Sequence, residues 1–268
     1  LSHTTKLNCS STRYIVHCTM KINADFKTLA RAHFDATKYI PSPAFGVNRF
    51  MLDRIGTEKA RATTIVEYKP NSKFPLHTHI GGEEFLVLAG TFCDQYGNFA
   101  AGTYVRNPID SQHEPWVEDD GCTIMVKLLQ MAETPGETDP LHVPYNEDAS
   151  VLKEKLGLEA KETEFGKILE MYTNSITGEV VEMCWINPDR SFPASTHGSE
   201  GGEELFIVEG SITNDEKEEF GKWDWMRFPP DHSRKDLVAG NEGAQIYRKT
   251  GHLTQTALGK EKITITEN

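Results

Sequence analysis

The residues with the clearest capacity for chemistry lie in residues 74–85, FPLHTHIGGEEF. His77 and His79 are two apart, so on a β-strand they project from the same face. A two-glycine turn follows, then Glu83, and His113 stands 30 residues further on. Three neutral imidazoles and one carboxylate suit a divalent transition metal: zinc, iron, manganese, nickel or copper. Zinc held by four protein ligands is tetrahedral and structural. Six-coordinate iron, manganese or nickel keeps up to two positions for water, dioxygen or substrate. The sequence leaves both cases open. Glu84, beside Glu83, is turned to the opposite face by strand parity and reads as structural.

The elements that must position these side chains announce themselves by repetition. Gly81-Gly82-Glu83-Glu84 recurs as Gly201-Gly202-Glu203-Glu204 at an offset of 120, and Gly90 recurs as Gly210 at the same offset. Arg106 and Pro108 return as Arg227 and Pro229 at 121; Gly121, Ile124 and Lys127 return as Gly243, Ile246 and Lys249 at 122. So small a drift points to a duplicated unit. Residues 62–68, 84–92 and 123–129 of the first copy, and 180–186, 204–208 and 244–249 of the second, are rich in β-branched and aromatic residues. Gly56, Gly97, Gly102, Gly178 and Gly221 punctuate them as turn residues. Many short strands at regular spacing predict an all-β chain of sandwich or barrel type.

One helix is expected between the copies, with Asp148 as N-cap, Gly157 as its end, and Val151, Leu152 and Leu156 on one face. A Pro-rich connector, residues 133–146, precedes it. The expected division is an N-terminal extension (1–19), a first barrel (20–139) and a second barrel (140–268). Both faces of the strand after the two glycines are apolar: Phe85, Val87 and Ala89 on one, Leu86 and Leu88 on the other. A strand with one face in water would alternate with polar residues. Its outer face is therefore covered, by the second barrel or by another subunit of a homodimer.

The second copy departs from the metal pattern. Aligning the GGEE segments sets His197 opposite His77 and Ser199 opposite His79. Aligning Phe192-Pro193 with Phe74-Pro75 sets His197 opposite His79 and Ser195 opposite His77. Either way one histidine is missing. Arg234 stands opposite His113, with His232 two positions earlier. A reduced site of His197, Glu203 and His232 remains open, and so does an ion pair between Arg234 and Glu203 or an anionic ligand on Arg234. His17, His33, His142 and His252 have no partner at ligand spacing and read as loop or surface residues.

These motifs resemble the cupin superfamily, whose first motif is H-x-H-x(3,4)-E with a later Gly and whose second is of the G-x5-P-x(4,5)-H type. Here the first is His77, His79, Glu83 and Gly90, and the second is Gly102, Pro108 and His113. The phrasing of the segment looks most like the ChrR-type cupin, a branch that includes the metal-binding half of zinc anti-sigma factors and stand-alone bicupins. The resemblance spans roughly residues 20–253. It implies two tandem double-stranded β-helix (jelly-roll) barrels joined by a short helix, with one divalent ion (zinc, iron, manganese or nickel) in the first. By the same resemblance the function expected first is a non-haem metal-dependent dioxygenase on a small diketone- or enol-like substrate, with Glu83 as a base. The alternative is a zinc-binding sensor or regulator of the anti-sigma type without catalysis. No H-x3-C-x2-C signature precedes the first barrel in this sequence, which counts against the sigma-factor reading.

Composition narrows the field further. The chain has 268 residues, 40 acidic against 28 basic, for a formal charge of −12. Such a surface repels phosphate backbones, so nucleic acid is not an expected partner. No apolar run reaches the roughly 20 residues a membrane helix needs. Cys9, Cys18, Cys93, Cys122 and Cys184 make an odd count with no C-x-x-C pair, which fits reduced thiols and a cytoplasmic setting. Residues 1–19 hold no acidic residue and precede Met20, which reads as a natural start. They suggest an organelle-targeting remnant or an upstream translated segment.

Overall fold

The computed structural model describes residues 20–194, 201–232 and 234–253. Among the described residues the strands form two nine-stranded antiparallel sheets and one small two-stranded sheet. The main path of the first sheet runs Lys21–Ile22, Val47–Gly56, Ala60–Tyr68, Trp116–Leu128, Glu83–Asp94, Thr103–Asn107, Leu141–Pro144. That of the second runs Lys161–Thr163, Gly166–Asn174, Glu179–Ile186, Leu237–Thr250, Glu203–Thr213, Trp225–Phe228, Ala30–Ala32. The two orders match strand for strand, as the repeat predicts.

The duplication is interlocked. Ala30–Ala32, from the first copy's leading segment, pairs with Trp225–Phe228 of the second sheet, and Leu141–Pro144, which leads into the second copy, pairs with Thr103–Asn107 of the first. Each unit thus lends its leading strand to the other, and the division suggested at residue 140 is crossed in both directions. The short helix forms over Ala149–Leu156. Asp148 stands at its N-cap without a side-chain bond and Gly157 closes it in the left-handed region. Only Leu152 of the expected apolar face is buried.

Strand parity sorts side chains into three apolar clusters. Phe85 and Val87 join Val66, Phe92, Val105 and Ile124 inside the first unit. Leu205, Ile207, Phe192 and Ile246 fill the second. The opposite faces meet in a shared layer, where Leu86, Tyr104 and Met125 of one unit pack with Phe206, Trp225 and Tyr247 of the other. The doubly apolar strand is therefore covered on its outer side by the second unit.

Buried charges cross that layer with matching symmetry. Lys127 donates to both oxygens of Glu204 at 2.7 Å, and its repeat equivalent Lys249 donates to Glu84 and, at 2.9 Å, to Glu179. Arg106 reaches Glu84 at 3.2 Å and Glu179 at 3.0 Å, while its equivalent Arg227 reaches Asp53 at 2.7 Å. The expectation that Glu84 is structural holds.

His252 belongs to this network. Its Nε2 lies 3.0 Å from Glu204, and it is buried, not a surface residue as its isolation in sequence suggests. Burial pushes its pKa down to about 4 although Glu204 pulls the other way. The folded protein therefore keeps His252 neutral to about pH 4, whereas the unfolded chain takes a proton near 6.5. The unfolded state binds more protons across that window, so this residue's contribution to stability falls as pH drops from about 6.5 to 4, by about 3 kcal/mol in all. His252→Gln is expected to flatten that slope, read from urea-unfolding midpoints at pH 7, 6 and 5.

Candidate metal centre

The short sheet of His77–Thr78 and Gln112–His113 is what brings distant histidines together. Its register sets His113 opposite His77, and backbone bonds from His79 N to Ser111 O and from Asp110 N to His79 O, both 2.9 Å, extend the ladder. The chain then reverses: Gly82 N bonds His79 O at 3.1 Å with Gly82 at φ +72°, where a Cβ would fall 2.2 Å from Met131 Sδ. Only glycine serves there. The reversal delivers Glu83 as the first residue of its strand, on the same face as Phe85 and Val87, inside the unit.

The four sequence-predicted residues converge. The ring centroids lie 5.0 Å apart for His77–His79, 4.6 Å for His77–His113 and 4.5 Å for His79–His113. One ligand atom from each imidazole and from Glu83 falls within 4.8 Å of every other. Three members are buried and His77 is exposed, so the group meets solvent on the His77 side.

Each imidazole is held by its far nitrogen. His77 Nδ1 lies 3.0 Å from Pro75 O, His79 Nδ1 3.0 Å from Ser111 Oγ, and His113 Nδ1 3.1 Å from the buried Asp94 carboxylate. Ser111 donates its own proton to Pro108 O at 2.6 Å, so it accepts from His79. Carbonyl, hydroxyl oxygen and carboxylate all require Nδ1 to carry the proton. Every Nε2 is then a lone pair directed at the same space.

That space calls for a cation. His113 Nε2 faces His77 Nε2 at 3.1 Å, and Glu83 Oε2 lies 3.3 Å from His79 Nε2 and 3.5 Å from His113 Nε2. His79 Nε2 is buried with no hydrogen-bond partner. Burial pushes the His79 pKa down to about 4, against the pull of Glu83, so the imidazole is in its neutral, ligating form at pH 7. The donor set, its outer partners and the orphaned nitrogen fit a divalent metal.

Asp94, Ser111 and Asn107 (which donates to Glu83 Oε2 at 3.1 Å) escaped the sequence reading. A lone acid closing an apolar strand was the only signal for Asp94; Ser111 and Asn107 carried none.

The family model of the ChrR cupin-like domain matches residues 27–132 and 160–254, about three quarters of the chain. The chain is a ChrR-type cupin. None of the curated proteins compared with it matches. Solved structures share the fold at low identity. A Pseudomonas aeruginosa protein described as glyoxylate-induced gives a TM-score of 0.62 at 14% identity, covering 87% of this chain and 91% of its own. A Lactobacillus farciminis oxalate decarboxylase in complex with formate gives 0.54 at 15%, covering 84% and 86%. A salicylate 1,2-dioxygenase from Pseudaminobacter salicylatoxidans gives 0.51 at 14%, covering 74% and 73%.

The cupin's second unit treats the equivalent glutamate differently. Glu203 takes Arg234 Nε at 2.6 Å and Nη2 at 3.2 Å, and the same guanidinium reaches the carbonyls of Phe192, Pro193 and Lys235 at 3.3, 2.8 and 2.9 Å. A side-chain cation thus occupies the place opposite His113. His232 lies against the Phe228 ring at 5.4 Å, and His197 is outside the described residues. Among the described residues the first unit holds the one convergent metal-ligating group. Arg234→Leu leaves a buried carboxylate without its partner. A loss of about 3–5 kcal/mol is expected, measured by chemical denaturation.

The remaining histidines are tied to packing or ion pairs. His33 sits between Asp224 at 2.8 Å and Glu218 at 3.2 Å, His142 packs on Phe99 at 4.4 Å, and His17 is outside the described residues. No helix among the described residues is long and apolar enough to cross a membrane.

Proposed function

We propose that the first unit holds one divalent ion through His77, His79, Glu83 and His113 and that the protein is a non-haem, metal-dependent dioxygenase. The observation that carries this reading is the convergence of three Nε2 lone pairs and one carboxylate oxygen in a group that is buried on three members and open on the fourth. A redox-active ion such as iron, manganese or nickel would supply Lewis acidity and one-electron chemistry at that opening. The protein's own contribution is positional. Pro75, Ser111 and Asp94 fix the tautomers, the apolar wall of Phe85 and Phe92 limits water, and Glu83 would serve as the base.

The open side supports a small chelating substrate. A small molecule presenting two adjacent oxygens, as a diketone or enol does, would suit an ion held by these four residues with one side open. Oxalate and salicylate, named for two proteins of similar fold, are oxygen chelators of this kind. Support from them is by fold analogy.

The test is elemental analysis of protein purified without added metal, together with oxygen uptake on a diketone and on a flavonol. Iron, manganese or nickel near one ion per chain with oxygen consumption supports the dioxygenase. Stoichiometric zinc and no turnover moves the protein to the sensor class, whose closed four-ligand site the same residues can form.

A further inference from the structure

We infer that Asn107 is the positioning residue that fixes Glu83 as a one-oxygen ligand, and that this contact separates the metal-holding unit from its silent copy. The inference rests on the metal reading proposed above. Asn107 lies directly opposite Glu83 in the strand register and is buried in the first unit. Its Nδ2 donates to Glu83 Oε2 at 3.1 Å. Oε2 is also the oxygen that approaches His79 Nε2 and His113 Nε2. A carboxylate oxygen has two lone pairs, so one is taken by the amide and the other is aimed into the imidazole group.

The opposite amide orientation is disfavoured by the Glu83 contact. Turning the amide over would set Asn107 Oδ1 against Glu83 Oε2, acceptor against acceptor. Asn107 Oδ1 is itself buried without a partner, so the amide satisfies Glu83 while leaving its own oxygen unbonded. Glu83 Oε1, by contrast, makes no hydrogen bond to a protein group among the described residues.

The repeat supplies an internal control. The residue opposite Glu203 in the second sheet is Phe228, which cannot donate. There the carboxylate is oriented by Arg234 instead, with both oxygens engaged. Asparagine at the facing position goes with a convergent imidazole group; phenylalanine goes with a guanidinium in its place. The difference between the units is thus one of donor charge: a neutral amide orients the carboxylate and leaves its charge for an incoming ion, whereas a guanidinium neutralises it.

The experiment is cobalt(II) titration of the metal-free full-length protein under chelator competition, following the d–d absorption bands. Asn107→Leu removes the donor at similar volume and Asn107→Gln retains one. Asn107→Leu is expected to weaken cobalt binding about 10–100-fold and to shift the bands as Glu83 turns to a two-oxygen mode, with Asn107→Gln closer to wild type on both readouts. Asn107→Leu with wild-type affinity and bands overturns the inference while the metal site stands, and so does a variant that only lowers the melting temperature of the metal-free protein. If Asn107→Leu does not fold, Asn107→Ala is read in its place. Wild-type protein that binds no cobalt overturns the metal reading itself, and this inference with it.

Discussion

Alanine at His79 and His113 together is expected to reduce bound metal from about one ion per chain to below about a tenth, measured by elemental analysis after dialysis against a weak chelator. These are the two buried imidazoles of the group, each locked by an outer partner, Ser111 for His79 and Asp94 for His113. A bound ion would be left with Glu83 and the exposed His77, and two protein ligands do not hold a divalent ion against water and chelator. The variant is also informative about stability. His79 Nε2 is a buried acceptor with no partner and His113 Nε2 stands 3.1 Å from another nitrogen, so the metal-free fold carries mutual repulsion that alanine removes. In the metal-free variant relief of that repulsion is set against lost packing and the loss of Asp94's imidazole partner, so the informative quantity is each protein's response to metal. Added metal should raise the midpoint of the wild type alone, since an ion that binds only the folded state stabilises it by mass action. Equal occupancy in variant and wild type would end the assignment.

How far the sequence could be read differs between the parts of this molecule. The ligands were legible because period-two geometry puts residues 77 and 79 on one face. The duplicated GGEE segment was legible because insertions between the copies shift it by two residues at most. Coverage of the outer face of the strand at 83–94 was legible from its lack of polar alternation. The exchange of leading strands was not, since Ala30–Ala32 is three residues long and its partner lies nearly 200 positions away. Local pattern cannot specify so distant an edge pairing. Asp94, Ser111 and Asn107 were hidden for a similar reason. Each works through a tertiary contact, and an isolated Asp, Ser or Asn has many commoner roles in strands and turns. His252 was misplaced on the surface because an unaccompanied histidine gives no sign of burial until the carboxylate it meets, Glu204, is known to face inward.

Lys249→Met is expected to be, with Arg234→Leu, among the most destabilising single changes outside the metal group, by about 3–5 kcal/mol in urea unfolding followed by tryptophan fluorescence. The lysine is fully enclosed and stands between two equally enclosed carboxylates, Glu84 of the first unit and Glu179 of the second. A methionine fills much the same volume but leaves Arg106 as the one cation bonded to both carboxylates, with the Tyr104 hydroxyl as Glu84's other donor. The replacement should also move the acid transition. Burial by itself would raise the Glu179 pKa, but Lys249 and then Arg106 override it and hold the carboxyl at about 2. A carboxyl lowered in the fold contributes stability that is present above about pH 4.5 and lost as pH falls towards 2. Without Lys249 the burial effect gains ground, the Glu179 pKa rises, and the variant should unfold in acid at a higher pH than wild type. Combining Lys249→Met with Glu84→Leu removes a cation and an anion together and should recover part of the loss, because a well-packed apolar pair carries no desolvation cost. Recovery of nothing would mean that Glu179, rather than Glu84, is the partner on which this lysine's stabilising effect depends.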